Sequence, residues 1–93
     1  MVIIIKSPPD STDGKRAVKL ARDMAADLVL IQNAVYFAQK DGLEGFCGKA
    51  YALLEDCRLR GLMENDIKKD IKMIDYSAFV DLITGEDKTI GAF

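Results

Sequence analysis

Ala50-Tyr51-Ala52-Leu53-Leu54-Glu55-Asp56-Cys57-Arg58-Leu59-Arg60-Gly61 carries a strand, an acidic turn, a thiol and a short helix in one uninterrupted run. The spacing predicts a strand over Lys49 to Leu54 and a helix over Glu55 to Leu59, with Gly61 placed to take the left-handed conformation that often ends one. A strand turning straight into a helix is the half-unit of an open α/β sheet. Ligands and chemistry in such sheets collect beyond the carboxyl ends of the strands. Cys57 is therefore the candidate reactive residue, and its surroundings decide whether it reacts.

The same alternation extends outward in both directions. Val2-Ile3-Ile4-Ile5 is β-branched without polar interruption, as suits a strand covered on both faces. Ser7-Pro8-Pro9-Asp10-Ser11-Thr12-Asp13-Gly14 is a run of turn formers, after which Ala17, Leu20, Ala21 and Met24 recur at helical spacing. These residues predict a helix from about Asp13 to Ala25. Leu28-Val29-Leu30-Ile31 is a second buried strand, and Gln32-Asn33 leads into Ala34-Val35-Tyr36-Phe37-Ala38, an apolar helix that needs cover on most sides. Asp41-Gly42 through Gly48 makes a glycine-rich return to the strand at Lys49. Beyond Gly61, Met63 to Asp70 is polar and charged and reads as a turn of helix and a loop, and Ile71-Lys72-Met73-Ile74 is a shorter strand whose lysine places it at or near an edge. Asp75 and Ser77 are both set to cap a helix bearing Phe79, Val80, Leu82 and Ile83, which Gly85 stops. Glu86 to Phe93 reads as a mixed tail, although Ile90 and Phe93 are odd apolar groups to leave in water. Four strand-helix alternations predict a three-layer α/β/α sandwich: a mainly parallel sheet of about four strands with helices on both faces.

A chain of 93 residues supports one domain, small enough that association helps it bury apolar surface. Its 13 basic and 15 acidic residues are mixed along the whole length, which gives no field for holding a polyanion and disfavours direct nucleic-acid binding. Val2 to Ile5 is too short for a signal-peptide core or a membrane span, so a cytoplasmic protein is expected. The two cysteines flank the same strand, too far apart to bridge, and free thiols suit a reducing compartment.

The absence of histidine removes the usual general base, the usual zinc ligand and the cysteine-histidine pair of thiol hydrolases. Two cysteines alone close no metal site. Gly48-Lys49-Ala50 resembles the end of a phosphate-binding loop, but Leu43 stands where the first glycine should be and Ala50 replaces the hydroxyl residue. No metal or cofactor is expected. Cys57 falls near the start of its helix, where amide dipoles, Arg58 and Arg60 favour the thiolate while Glu55 and Asp56 oppose it. It reads either as a reactive thiol or as a small buried side chain. Cys47, in the glycine-rich return, has the weaker claim. Asp10, Asp13, Glu55 and Asp56 meet at the carboxyl edge as acid-base groups or a weak cation site, or else are solvated loop acids. Tyr36 and Phe37 form either a stripe at a subunit contact or part of the core.

Three separated segments then carry a likeness: Leu30-Ile31-Gln32-Asn33-Ala34-Val35; Tyr51-Ala52-Leu53-Leu54-Glu55-Asp56 with Arg60-Gly61; and Ile74-Asp75-Tyr76-Ser77-Ala78-Phe79-Val80-Asp81-Leu82. In order and approximate spacing they resemble the DsrH/TusB family, small subunits of sulfur-relay complexes, over nearly the whole chain. Phe93 stands where members often end in tryptophan. The resemblance implies a DsrE/F/H-type sandwich that associates with DsrE/TusD-like and DsrF/TusC-like subunits or with itself. It also implies persulfide transfer toward 2-thiolation of the wobble uridine of transfer RNA, or toward dissimilatory sulfur metabolism. The carrier thiol belongs chiefly to the DsrE/TusD subunit. By spacing to Arg60-Gly61, that carrier position falls on Leu53 here, one turn before Cys57, so no carrier role transfers to either cysteine. The implied role is a structural and interaction subunit, at most a persulfide carrier through Cys57. The alternative is a self-associating α/β module with an unrelated ligand.

Overall fold

The β-branched run Val2–Ile5 forms β1, whose Val2, Ile3 and Ile5 are fully buried, in a computed structural model that describes residues 1–39, 42–43, 45–86 and 88–91. The sequence expectations for Asp41 and Phe93 lie outside the described residues. The remaining strands are β2 (Asp27–Leu30), β3 (Ala50–Leu53), β4 (Ile71–Ile74) and β5 (Thr89–Ile90), in the order β4-β3-β2-β1-β5. All pairings are parallel, with Ile3 beside Leu28 and Ile90, Leu28 beside Ala50, and Ala50 beside Ile71. The expected sheet of about four strands thus gains a two-residue fifth from the tail. It is too brief to show a periodic signal, but it explains why Ile90 is half-buried.

Handedness fixes the layers. The connections β1 to β2, β2 to β3 and β3 to β4 all step the same way, so right-handed crossovers put their helices on one face. These are α1 (Thr12–Asp23), a 3₁₀ helix (Gln32–Ala38) and α2 (Leu54–Leu59). The step from β4 to β5 runs back past three strands and puts α3 (Tyr76–Gly85) on the other. Two cores result. Ile3, Ile5, Leu28, Leu30 and Ala52 pack with Ala17, Ala21, Val35 and Phe37, whereas Val2, Val29, Leu53 and Ile74 pack with Phe79. Phe37 therefore belongs to the chain's own core and Tyr36 packs half-buried against it.

Both long helices start on side-chain caps: Ser11 Oγ accepts from the Gly14 amide at 3.0 Å, and Asp75 Oδ1 from the Ala78 amide at 2.8 Å. The end of α1 comes earlier than its apolar spacing predicts. Ala26 N–H donates to the Ala21 carbonyl at 2.8 Å and Ala25 N–H to Arg22 at 3.3 Å, a paired helix stop that holds Ala25 at φ +53°. Left-handed backbone costs an alanine about 1 kcal/mol, which is why glycine usually fills this position and why the sequence gives no stop signal here. Ala25→Gly is expected to raise unfolding free energy by about 1 kcal/mol, read as a higher urea midpoint at unchanged slope.

Candidate functional site

Strand β3 passes into α2 with no intervening loop: Leu53 is both the last strand residue and the residue before the helix. The helix has room for six residues before Gly61 stops it at φ +71°. Leu62 N–H reaches the Cys57 carbonyl at 2.9 Å and Gly61 N–H the Arg58 carbonyl at 3.1 Å, completing a second paired stop, here with the glycine the sequence displays. Cys57 lies in the body of this short helix and not at its first position. Its side chain is 0% exposed within the core beneath α1, the 3₁₀ helix and α2.

That burial decides the chemistry of the thiol. Loss of solvent pushes the Cys57 pKa above its ordinary value; the neighbouring Asp56 carboxylate adds to the rise and Arg60 opposes it. The opposition expected between neighbouring acids and arginines is present in Asp56 and Arg60, and desolvation tips it toward the thiol. The helices that leave the adjacent strands β3 and β4 go to opposite faces, so the topological switch point lies at the carboxyl ends of these two strands; Cys57 is on the helix that leaves one of them, but its side chain turns into the core. Cys47 is exposed and lies before the amino end of β3, its Sγ 3.9 Å from the Gly45 carbonyl. Both thiols are free.

The acids separate instead of gathering. Asp56 Oδ2 accepts the Gln32 amide at 2.6 Å, Glu55 Oε2 accepts the Tyr76 amide at 3.1 Å, and Asp10 and Asp13 are exposed. Among the described residues no group of three His, Cys, Asp or Glu side chains is placed to hold a metal ion. The role of Asp56 is structural, because Gln32 sits at φ +49° and the carboxylate holds its amide in that unfavourable backbone. Arg60 completes the knot, donating from Nε to Asn33 Oδ1 at 3.0 Å and from its guanidinium to the Asp56 carbonyl at 3.2 Å. The Gln32-Asn33, Asp56 and Arg60-Gly61 segments that stand out in the sequence thus meet at the junction of β2 and α2. They serve geometry, not acid-base chemistry.

A cleft of about 550 Å³ lies beside this junction, between α2, the segment from Leu62 to Lys69, and β4. The turn of helix and loop expected over Met63 to Asp70 are found, the helical turn at Glu64–Asp66, but the segment also packs on the core. The signal for this packing is Leu62 and Ile67, two apolar residues in a charged stretch, both of which are buried.

The DsrH like protein family model matches residues 6–89. The chain belongs to the DsrH-like family. Members of this family are subunits of sulfur-relay systems, and the chain is a DsrH-like subunit of that general kind. The fold is shared with the ychN protein of E. coli, whose crystal structure superposes with TM-score 0.79 at 12% identity over 96% of each chain. It is shared also with protein Tm0979 of Thermotoga maritima, whose solution NMR structure gives TM-score 0.68 at 33% identity over 98% of this chain and 100% of that one. No curated protein sequence matches. No helix among the described residues is long and apolar enough to cross a membrane.

Asp56→Ala is expected to lower stability by about 1–2 kcal/mol in chemical denaturation, with a smaller loss for Asp56→Asn, which keeps an acceptor for the Gln32 amide. The raised Cys57 pKa means that the folded chain holds a proton which the unfolded chain releases, so its contribution is full below about pH 8.5 and is lost as pH climbs through the folded value. A stability-against-pH series of the protein and of Cys57→Ala should show that alkaline loss reduced in the variant. A thiol reagent at neutral pH should label Cys47 at once and Cys57 only on unfolding.

Proposed function

We propose that this DsrH-like chain is the non-catalytic interaction subunit of an intracellular persulfide-transfer system, working with DsrE/TusD-like and DsrF/TusC-like chains in the cytoplasm. Its product pathway on this reading is 2-thiolation of the transfer-RNA wobble uridine or related sulfur trafficking. The observation that carries the reading is the pairing of family membership with a buried Cys57, whose pKa that burial pushes up. A persulfide forms when a thiolate attacks the outer sulfur of a donor persulfide and takes that sulfur over, releasing the donor as a thiolate. A proton-bearing thiol with no exposed surface is poorly suited to this. The sulfur is therefore carried by a partner's thiol, and this chain supplies part of the surface over which it passes. Cys57 as a sulfur acceptor is the competing possibility and requires α2 to lift from the sheet.

Two measurements test the proposal together. Affinity purification of the tagged full chain from its source organism, under conditions that keep weak complexes, is expected to recover a sulfurtransferase or DsrE/F-like chain; recovery of neither refutes the assignment. Mass spectrometry after incubation with a persulfide donor is expected to show no gain of one sulfur atom on Cys57. A stoichiometric gain there would transfer the carrier role to this chain.

A further inference from the structure

We infer that the free edge of β4 and the cleft beside it form a docking site for an acidic, apolar segment of a partner protein, which adds to the sheet as a further strand. Among the described residues, strand β4 is the outermost of the sheet and pairs on one side only, with β3. Its unpaired edge offers backbone donors and acceptors to an extended chain. Ile71 and Met73 face the cleft, and Lys72 between them points to the opposite face. An added strand would thus place alternate side chains in the cleft and the intervening ones beside Lys72.

The chemistry of both sets is legible. The cleft has an apolar floor that includes Leu54, Leu62 and Ile67, and its lining carries Arg58, Lys68 and Lys69 against the single acid Glu64. On the adjoining surface Leu59 is 80% and Met63 65% exposed. Lys68 lies 3.9 Å from Asp70, just outside the lining, which leaves Arg58 and Lys69 as the cleft's bases that make no ion pair among the described residues, in a chain whose total net charge is −2. The apolar floor suits the alternate side chains that enter the cleft, Lys72 favours acidic side chains at the intervening positions, and the basic residues at the rim favour a segment that is acidic as a whole. A second copy fits poorly: twofold pairing through β4 would bring two like-charged basic rims together. Neither the edge nor the cleft depends on sulfur being the cargo, so failure at this site would leave the relay proposal standing.

The test uses the isotopically labelled full chain and a capped octapeptide alternating valine with glutamate. Titration is expected to shift the backbone amide resonances of residues 71–74 and those lining the cleft, and to slow hydrogen exchange along β4. The corresponding valine-lysine peptide should bind at least about fivefold more weakly, and Lys72→Glu should weaken the glutamate peptide by a similar factor. Equal binding of the two peptides, or no shift at millimolar peptide, would overturn the inference. So would shifts at residues 71–74 produced by concentrating the protein alone, which would mark a second copy as occupant, or tighter displacement by a short single-stranded RNA.

Discussion

The handedness of parallel crossovers is the constraint from which the rest of this molecule follows. Three successive connections stepping the same way must lie on one face of the sheet, and the single return must lie on the other. One face thus receives α1, the 3₁₀ helix and α2, and the other receives α3. The crowded face seals Ala34, Val35, Ala38 and Cys57 completely, which accounts for an apolar segment that in isolation resembles a subunit contact. The same constraint sets the switch point between β3 and β4, whose helices leave to opposite faces, and leaves β4 as an outer strand.

Sulfur relays need a thiolate that can be reached, and the position of Cys57 provides neither condition. Desolvation outweighs Arg60, the one nearby positive group that favours ionisation of this thiol. What the short helix does instead is mechanical. The Cys57 carbonyl accepts the Arg60 and Leu62 amides, the side chain fills the core, and the adjacent Asp56 restrains Gln32. Motif residues that look chemical in a linear reading, an acid beside a cysteine beside arginines, are here the parts of a corner. On the described surface, the cleft by β4, with basic residues around an apolar floor, has the plainest chemical preference.

How much is legible in the sequence depends on whether a feature has a local cause. Val2–Ile5, the edge position of β4, the Asp75 cap and the left-handed Gly61 each follow from a residue type and its immediate neighbours, and each is found as read. Gln32 adopts positive φ under a tertiary contact from Asp56 and Ala25 within a local helix stop, with no glycine or asparagine at either position to announce it. Strand β5 exists because β1 has a vacant side, not because Thr89–Ile90 has a pattern. The state of Cys57 is undecidable from sequence for the same reason: the charges that bear on it lie close by in the chain, whereas the burial that dominates them comes from three separate elements.

The absence of any linker between β3 and α2 has an evolutionary corollary. A helix advances about 100° per residue, so inserting or deleting one residue at Leu53–Leu54 would swing Asp56 away from Gln32 and Cys57 out of the interior in a single step. Length variation among relatives should therefore be rare at this seam and accumulate in the connection that precedes β3. The corner behaves as a ruler within the chain, against which substitutions are tolerated but changes of spacing are not.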